Sequence, residues 1–132
     1  MQVIDKLAWI EIQDKQILST RSFGKDAFYI PGGKREPGET DAQTLIREIK
    51  EELSVDLQPE TINYLGTFEA QAHGHAEGIL VKMQCYTAKY TGTITATSEI
   101  EEVDWLSHAD KPRVSAVDKI IFDWLKEQGQ LL

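Results

Sequence analysis

The chain predicts an α+β fold, or a mixed-sheet α/β/α sandwich, on three observations. Short runs of alternating apolar and polar residues, such as Ile79, Val81, Met83 and Cys85, have the period of strands. Two longer segments have the period of helices. Strands and helices follow one another without the regular βα alternation of a doubly wound parallel sheet.

From the start, Leu7–Ile12 and Ile17–Arg21 read as two strands of a hairpin joined at Asp14-Lys15. Residues 22–27 are polar and contain Gly24, so they read as a loop. Phe28–Ile30 reads as a short strand running into Pro31-Gly32-Gly33. Lys34–Glu39 contains Pro37-Gly38 and must be irregular. Thr40 and Gln43 have the spacing of a capping box, so a helix begins there. Ala42, Leu45, Ile46, Ile49 and Leu53 give it one apolar face. After Pro59, Ile62–Ala70 reads as a strand, and residues 71–78 as a loop carrying His73 and His75. The alternating strand follows, with Thr91-Gly92 breaking it. Val103–Leu106 reads as a late strand. Val117, Ile120, Ile121, Trp124 and Leu125 mark a closing helix. Trp105 and Trp124 are expected in the core.

Residues 1–132 read as a single domain without repeat or linker. The lone cysteine, Cys85, permits no internal disulfide and sits in an apolar run, where it is expected as a buried small hydrophobe. Nothing near Met1 resembles a signal peptide, and no window reaches the apolar length of a membrane span. A cytoplasmic location is expected. The formal charge of −8 argues against broad binding to a nucleic-acid polymer. It is compatible with a phosphorylated small molecule, because a hard divalent cation prefers an acidic site.

The chemistry-bearing stretch is Gly32–Glu39 followed by Arg47-Glu48-Ile49-Lys50-Glu51-Glu52. Glu48, Glu51 and Glu52 stand at i, i+3 and i+4, on one face of the helix. Like charges at that spacing destabilise a helix by a few tenths of a kcal/mol per pair, roughly, and a divalent cation would offset this. On an arbitrary helix three such residues form a solvated face. Here the glycines of the preceding loop permit close backbone approach, and Pro31 and Pro37 stiffen it.

Gly33, Glu39, Arg47, Glu48, Glu51 and Glu52, with Ile49 and Val55 at the aliphatic places, closely resemble the Nudix hydrolase signature G-x5-E-x7-R-E-U-x-E-E-x-G-U. The strand entering Pro31-Gly32-Gly33 and the late segment Ser98–Leu106 extend the likeness. One position departs: Ser54 stands where the family has its second glycine, a residue suited to a left-handed helix end. The resemblance implies the Nudix fold, an α/β/α sandwich around a mixed sheet. It also implies hydrolysis of a nucleoside diphosphate linked to another moiety, with Mg²⁺ or Mn²⁺ and an attacking water. Carried over by position, Glu48, Glu51 and Glu52 would bind metal, with the backbone carbonyl of Gly32 or Gly33 completing the shell, Gly33 for preference. Glu48 is the first choice for accepting the proton. Glu39 and Arg47 would hold the carboxylates in place. Glu99, and after it Glu102, is a further candidate for metal or base.

Arg21, Lys34 and Arg35 are the candidates for reaching phosphate, and Tyr29 or Phe28 for stacking on a base. His73 and His75 form no convincing zinc set. The proline and tyrosine markers of relatives acting on ADP-ribose or dinucleoside polyphosphates would fall at Ala70 and residues 71–73, and neither is present. The small size resembles the branch acting on nucleoside triphosphates, including oxidised ones. A catalytically silent nucleotide-binding domain on the same fold is the competing reading, against which all three metal-site glutamates are retained. A homodimer is compatible with the family.

Overall fold

Leu7 and Trp9 alternate with Lys6 and Ala8 along one strand, and that alternation divides the core into two halves. A computed structural model describes residues 2–72 and 78–132. Strand β1 (Gln2–Trp9) lies inside a four-stranded sheet of order β4-β1-β7-β6, with β4 at Gly32–Gly33, β6 at Asn63–Gln71 and β7 at Ile79–Thr87. β1 and β7 run parallel, with Lys6 opposite Met83, while the other two pairings are antiparallel. The sheet is therefore mixed, as expected. β2 (Ile12–Gln13), β3 (Gln16–Ser22) and β9 (Ile100–Leu106) form a second, antiparallel sheet. The two-residue strands β5 (Asp56–Leu57) and β8 (Tyr90–Thr91) form a third pair.

Helix α1 (Asp41–Leu53) starts on the expected capping box. The Gln43 N–H donates to Thr40 Oγ1 at 3.2 Å, and the Thr40 N–H donates to Gln43 Oε1 at 2.9 Å. Its Leu45, Ile49 and Leu53 are fully buried against Leu7, Trp9 and Leu18. Helix α2 (Ala116–Glu127) covers the other half, where Val117, Ile121, Phe122 and Leu125 meet Ala8, Ile10, Met83 and Cys85. Cys85 is fully buried, and burial pushes its thiol pKa upward, so it packs as a small hydrophobe. Trp105 and Trp124 pack, partly buried, against the two core halves. The fully buried tryptophan is Trp9, whose indole N–H donates to the Ala88 carbonyl at 3.2 Å.

The fold departs from the sequence reading in four places. The first hairpin is real only at its tip, where Ile12 pairs with Ile17 and Asp14 and Lys15 both take the positive φ of a primed turn. Beyond it β1 leaves for the four-stranded sheet, where it pairs with β7 along its whole length, and β3 leaves for β9. Phe28 and Tyr29 make single bridges, to Val114 and Thr20, rather than a strand. The late strand begins at Ile100, three residues before the expected start. Ile120 is 42% exposed, so the apolar face of α2 excludes it. His73 and His75 lie outside the described residues. Among the described residues no helix is long and apolar enough to cross a membrane.

Candidate active site

Gly32 and Gly33 bring a loop against β1 and α1 at a distance no other residue would permit. Gly32 takes φ +150°, and a Cβ there would lie 1.9 Å from the Leu7 carbonyl oxygen. A Cβ on Gly33 would lie 2.1 Å from Glu48 Oε2. The Gly32 N–H points at Glu52 Oε1 at 3.4 Å. The backbone of this turn thus lies beside the two carboxylates that α1 turns inward.

Glu48 and Glu52, one helical turn apart, both line a cavity of about 400 Å³. Glu52 is buried to 7% exposure. Desolvation, then the charge of Glu48, push its pKa up to about 8. Burial raises Glu48 as well, partly opposed by Arg47. These two groups resist carrying negative charge together unless a cation joins them. The donor set fits a divalent metal: hard carboxylate oxygens on two facing side chains, the backbone of the glycine turn alongside, and an open cavity beside them. Among the described residues no three His, Cys, Asp or Glu side chains stand close enough to enclose an ion. A divalent ion held beside Glu48 and Glu52 would need further donors, such as substrate phosphates. Glu51 is exposed, its carboxylate 3.6 Å from an Arg47 nitrogen, and it does not line the cavity.

Arg47 organises the carboxylates from behind. Its Nε and Nη2 donate to the two oxygens of Glu39 at 2.7 and 2.9 Å, and Nη1 donates to Glu48 at 2.7 Å. Nη2 also reaches the Lys34 carbonyl at 3.1 Å, which fixes the loop to the helix. The Arg47 guanidinium, then the Glu36 N–H, hold Glu39 down to about 2. Glu39 also accepts from Thr44 Oγ1 at 3.0 Å.

The 93–97 segment bonds to the last turn of α1 and so positions Glu99. Thr95 and Thr97 N–H groups donate to the carbonyls of Leu53 and Glu52 at 2.9 and 3.0 Å, and Thr97 Oγ1 donates to the Glu51 carbonyl. The Phe23 N–H donates to the Glu99 carbonyl at 2.9 Å. Glu99 lines the cavity with Glu48 and Glu52. Glu102 is turned to Arg21 instead.

Of the residues considered for substrate contact, Tyr29 and Lys34 line the cavity. Arg21 is held by Glu101 and Glu102 at 2.8 and 3.2 Å. Arg35 bridges Asp5 and Asp41 at 2.5 and 2.6 Å, tying β1 to the start of α1. Neither arginine lines the cavity. Phe28 is buried, its ring under the Arg113 guanidinium at 4.7 Å. Sequence reasoning missed Lys6, Lys25 and Ser115, which do line the cavity, and Asp118 behind them. Asp118 is fully buried on α2 and accepts the Ile30 N–H at 2.9 Å. The one available signal was an aspartate and a lysine at positions whose neighbours in period are apolar.

Comparison with known proteins agrees with this geometry. The family model described as the NUDIX domain matches residues 7–125. A human relative, 8-oxo-dGDP phosphatase NUDT18, is 33% identical over 91 residues, which are 69% of this chain and 25% of that protein. The chain thus spans about a quarter of that relative's length. Among solved structures, the MutT NUDIX hydrolase from Burkholderia pseudomallei has a TM-score of 0.74 at 22% identity, over 93% of this chain and 98% of that one. The E. coli ORF135 protein has a TM-score of 0.73 at 24% identity, over 96% and 92% of the two chains. These likenesses carry the fold, while the family match covers the glycine turn, the carboxylate helix and both layers around the sheet. The chain belongs to the Nudix hydrolase family.

Proposed function

We propose that this chain, as one domain over residues 1–132, is a divalent-metal-dependent pyrophosphohydrolase of nucleoside diphosphate derivatives. Its preferred substrate is a deoxynucleoside or nucleoside triphosphate, or an oxidised form of one, and the metal is Mg²⁺ or Mn²⁺. Water adds across a phosphoanhydride, giving a nucleoside monophosphate and pyrophosphate. A cytoplasmic location fits such a substrate, and a homodimer is compatible with the reading. The observation that carries it is the pair Glu48 and Glu52 facing one cavity beside the Gly32-Gly33 turn.

A bound divalent ion would polarise the phosphoryl oxygens and make an attacking water more acidic. Glu48, Glu52 and the Gly33 carbonyl are the residues that would hold it, with Glu51 joining from the exposed side of the helix. Arg47 keeps Glu48 oriented through its 2.7 Å contact, and Glu39 keeps Arg47 in place. Glu48 or Glu99 takes the proton from water, both lining the cavity where the phosphates would lie. Tyr29 lines the same space.

The test is a substrate panel with Mg²⁺ or EDTA: nucleoside triphosphates, oxidised dGTP, ADP-ribose, dinucleotides, and 8-oxo-dGDP, the compound in the human relative's name. Release of phosphate or pyrophosphate is quantified for each. Metal-dependent turnover of a triphosphate to pyrophosphate is expected. Silence across the panel would remove the enzymatic reading.

A further inference from the structure

The four arginines of the chain are all engaged by carboxylates: Arg21 by Glu101 and Glu102, Arg35 by Asp5 and Asp41, Arg47 by Glu39 and Glu48, Arg113 by Asp104 and Asp110. Among the described residues, the cations that line the cavity are three lysines, Lys6, Lys25 and Lys34. Among the described residues no hydrogen bond or ion pair holds any of their ammonium groups. Lys25 and Lys34 are exposed on loops, where a solvated lysine needs no explanation. Lys6 is different. It sits in the middle of β1, fixed on both sides by pairing of Lys6 with Met83 and of Leu7 with Gly33. Its side chain shares a strand face with Ile4 and Ala8 and is only partly exposed. The ammonium lies 5.9 Å from the centre of the Tyr29 ring. Lys34 repels it, while Asp118 on α2 and Glu52 and Glu48 on α1 attract it. Burial lowers its pKa.

Withdrawing an ammonium from water without an acceptor costs free energy, and a methionine would pack equally well beside Met83 and Tyr29. We infer that Lys6 is an anion subsite, taking a non-bridging phosphoryl oxygen on the nucleoside side of the bond that is cut. This rests on the pyrophosphohydrolase reading for the identity of that bond. The ligand class is a nucleoside 5′-phosphate, and the subsite discriminates it from the unphosphorylated nucleoside. A divalent ion held by Glu48 and Glu52 would neutralise phosphoryl oxygens beside them. Lys6 stands on the β1 face it shares with Ile4 and Ala8 and supplies a fixed positive charge to the same cavity. A compact ammonium with three donors serves a phosphoryl oxygen as a point charge.

Titration calorimetry of the whole chain with Mg²⁺ tests this, using the four deoxynucleoside 5′-monophosphates and the four matching nucleosides. A lost charge-assisted hydrogen bond corresponds to about tenfold or more in affinity. Lys6→Met is therefore expected to weaken the best-bound monophosphate about tenfold, to leave its nucleoside unchanged, and to keep or raise the melting temperature. Lys6→Arg is expected to restore most of the monophosphate affinity. Equal weakening of nucleoside and monophosphate would overturn the inference by making Lys6 a reader of the base. Unchanged affinity for both, a drop in melting temperature with loss of both, or no monophosphate binding by the unmutated chain would overturn it as well. The two readings separate cleanly. Lys6-dependent monophosphate binding without turnover on the panel removes the enzymatic reading alone, whereas turnover with Lys6-independent binding removes the subsite alone.

Discussion

Glu52 shows how one residue can be set against its surroundings for a purpose. A carboxylate buried to 7% exposure, beside Glu48, with a single long contact from the Gly32 N–H, is unfavourable as an anion. Its pKa of about 8 leaves it mostly protonated at neutral pH in the absence of a cation. Glu52→Gln replaces a neutral acid by a neutral amide of the same shape. The melting temperature should therefore hold at neutral pH, while metal-dependent turnover falls by at least about 10²-fold, the upper end of losses for residues that only support metal ligands. Full activity in this variant would sink the carboxylate-helix account. The neighbouring glycines belong to the same scale. Gly32 and Gly33 were readable as points of close approach, but the atoms they approach, the Leu7 carbonyl and the Glu48 carboxylate, come from a strand and a helix distant in sequence.

At the scale of the element, α1 was legible almost completely. Its start is set by the Thr40–Gln43 box, and its inner face by Leu45, Ile49 and Leu53. Its end carries the chain's departure from the family pattern. Ser54 adopts φ +61° and ψ +27°, the left-handed conformation that the missing glycine would favour. The helix closes as the pattern demands, and serine bears the strain. Ser54→Gly should raise stability by about 1 kcal/mol in equilibrium denaturation, with turnover unaltered. A loss of stability would show that the 93–97 segment, bonded to the carbonyls of the same turn, already relieves that strain. Shorter elements were less legible. β4, β5 and β8 are two residues each, too short for any period to register.

For the whole molecule, the informative group is Asp118, buried between α2 and the 28–30 segment. It accepts the Ile30 N–H through Oδ2, and Oδ1 has no partner among the described residues. Desolvation pushes it up to about 7 from an ordinary 3.8, against the opposing pull of the Ile30 N–H. A carboxyl with a raised folded-state pKa holds its proton in the folded chain after the unfolded chain has lost it. Its contribution is therefore full below about pH 4 and is lost as pH rises toward 7. The slope is at most about 1.4 kcal/mol per pH unit. Asp118→Asn should remove this component, so that the stability difference between variant and parent shifts in the variant's favour from pH 4 to 7. Denaturation at several pH values measures it. Parallel pH profiles would show that Asp118 titrates normally.

What the sequence determined by itself is local and periodic: the capped carboxylate helix, the alternating strand through Cys85, and the glycine turn before them. These follow from spacing along one segment, which neighbouring residues settle without help. The contact of Arg47 with Glu39 and Glu48 was also within reach, because all three lie in one continuous motif of the chain. The tertiary structure decided which carboxylates and which cations line the cavity. Glu48 and Glu52 turn inward and Glu51 does not, since α1 can present only one stripe to the packed side. Arg21 and Arg35 had the chemistry to reach phosphate, yet their charges are taken up by Glu101, Glu102, Asp5 and Asp41. Lys6 looked like an ordinary strand lysine, but parallel pairing with β7 places it against the cavity that α2 closes. Charge partners are chosen by through-space distance, and β1 meets β7 across more than seventy residues of chain.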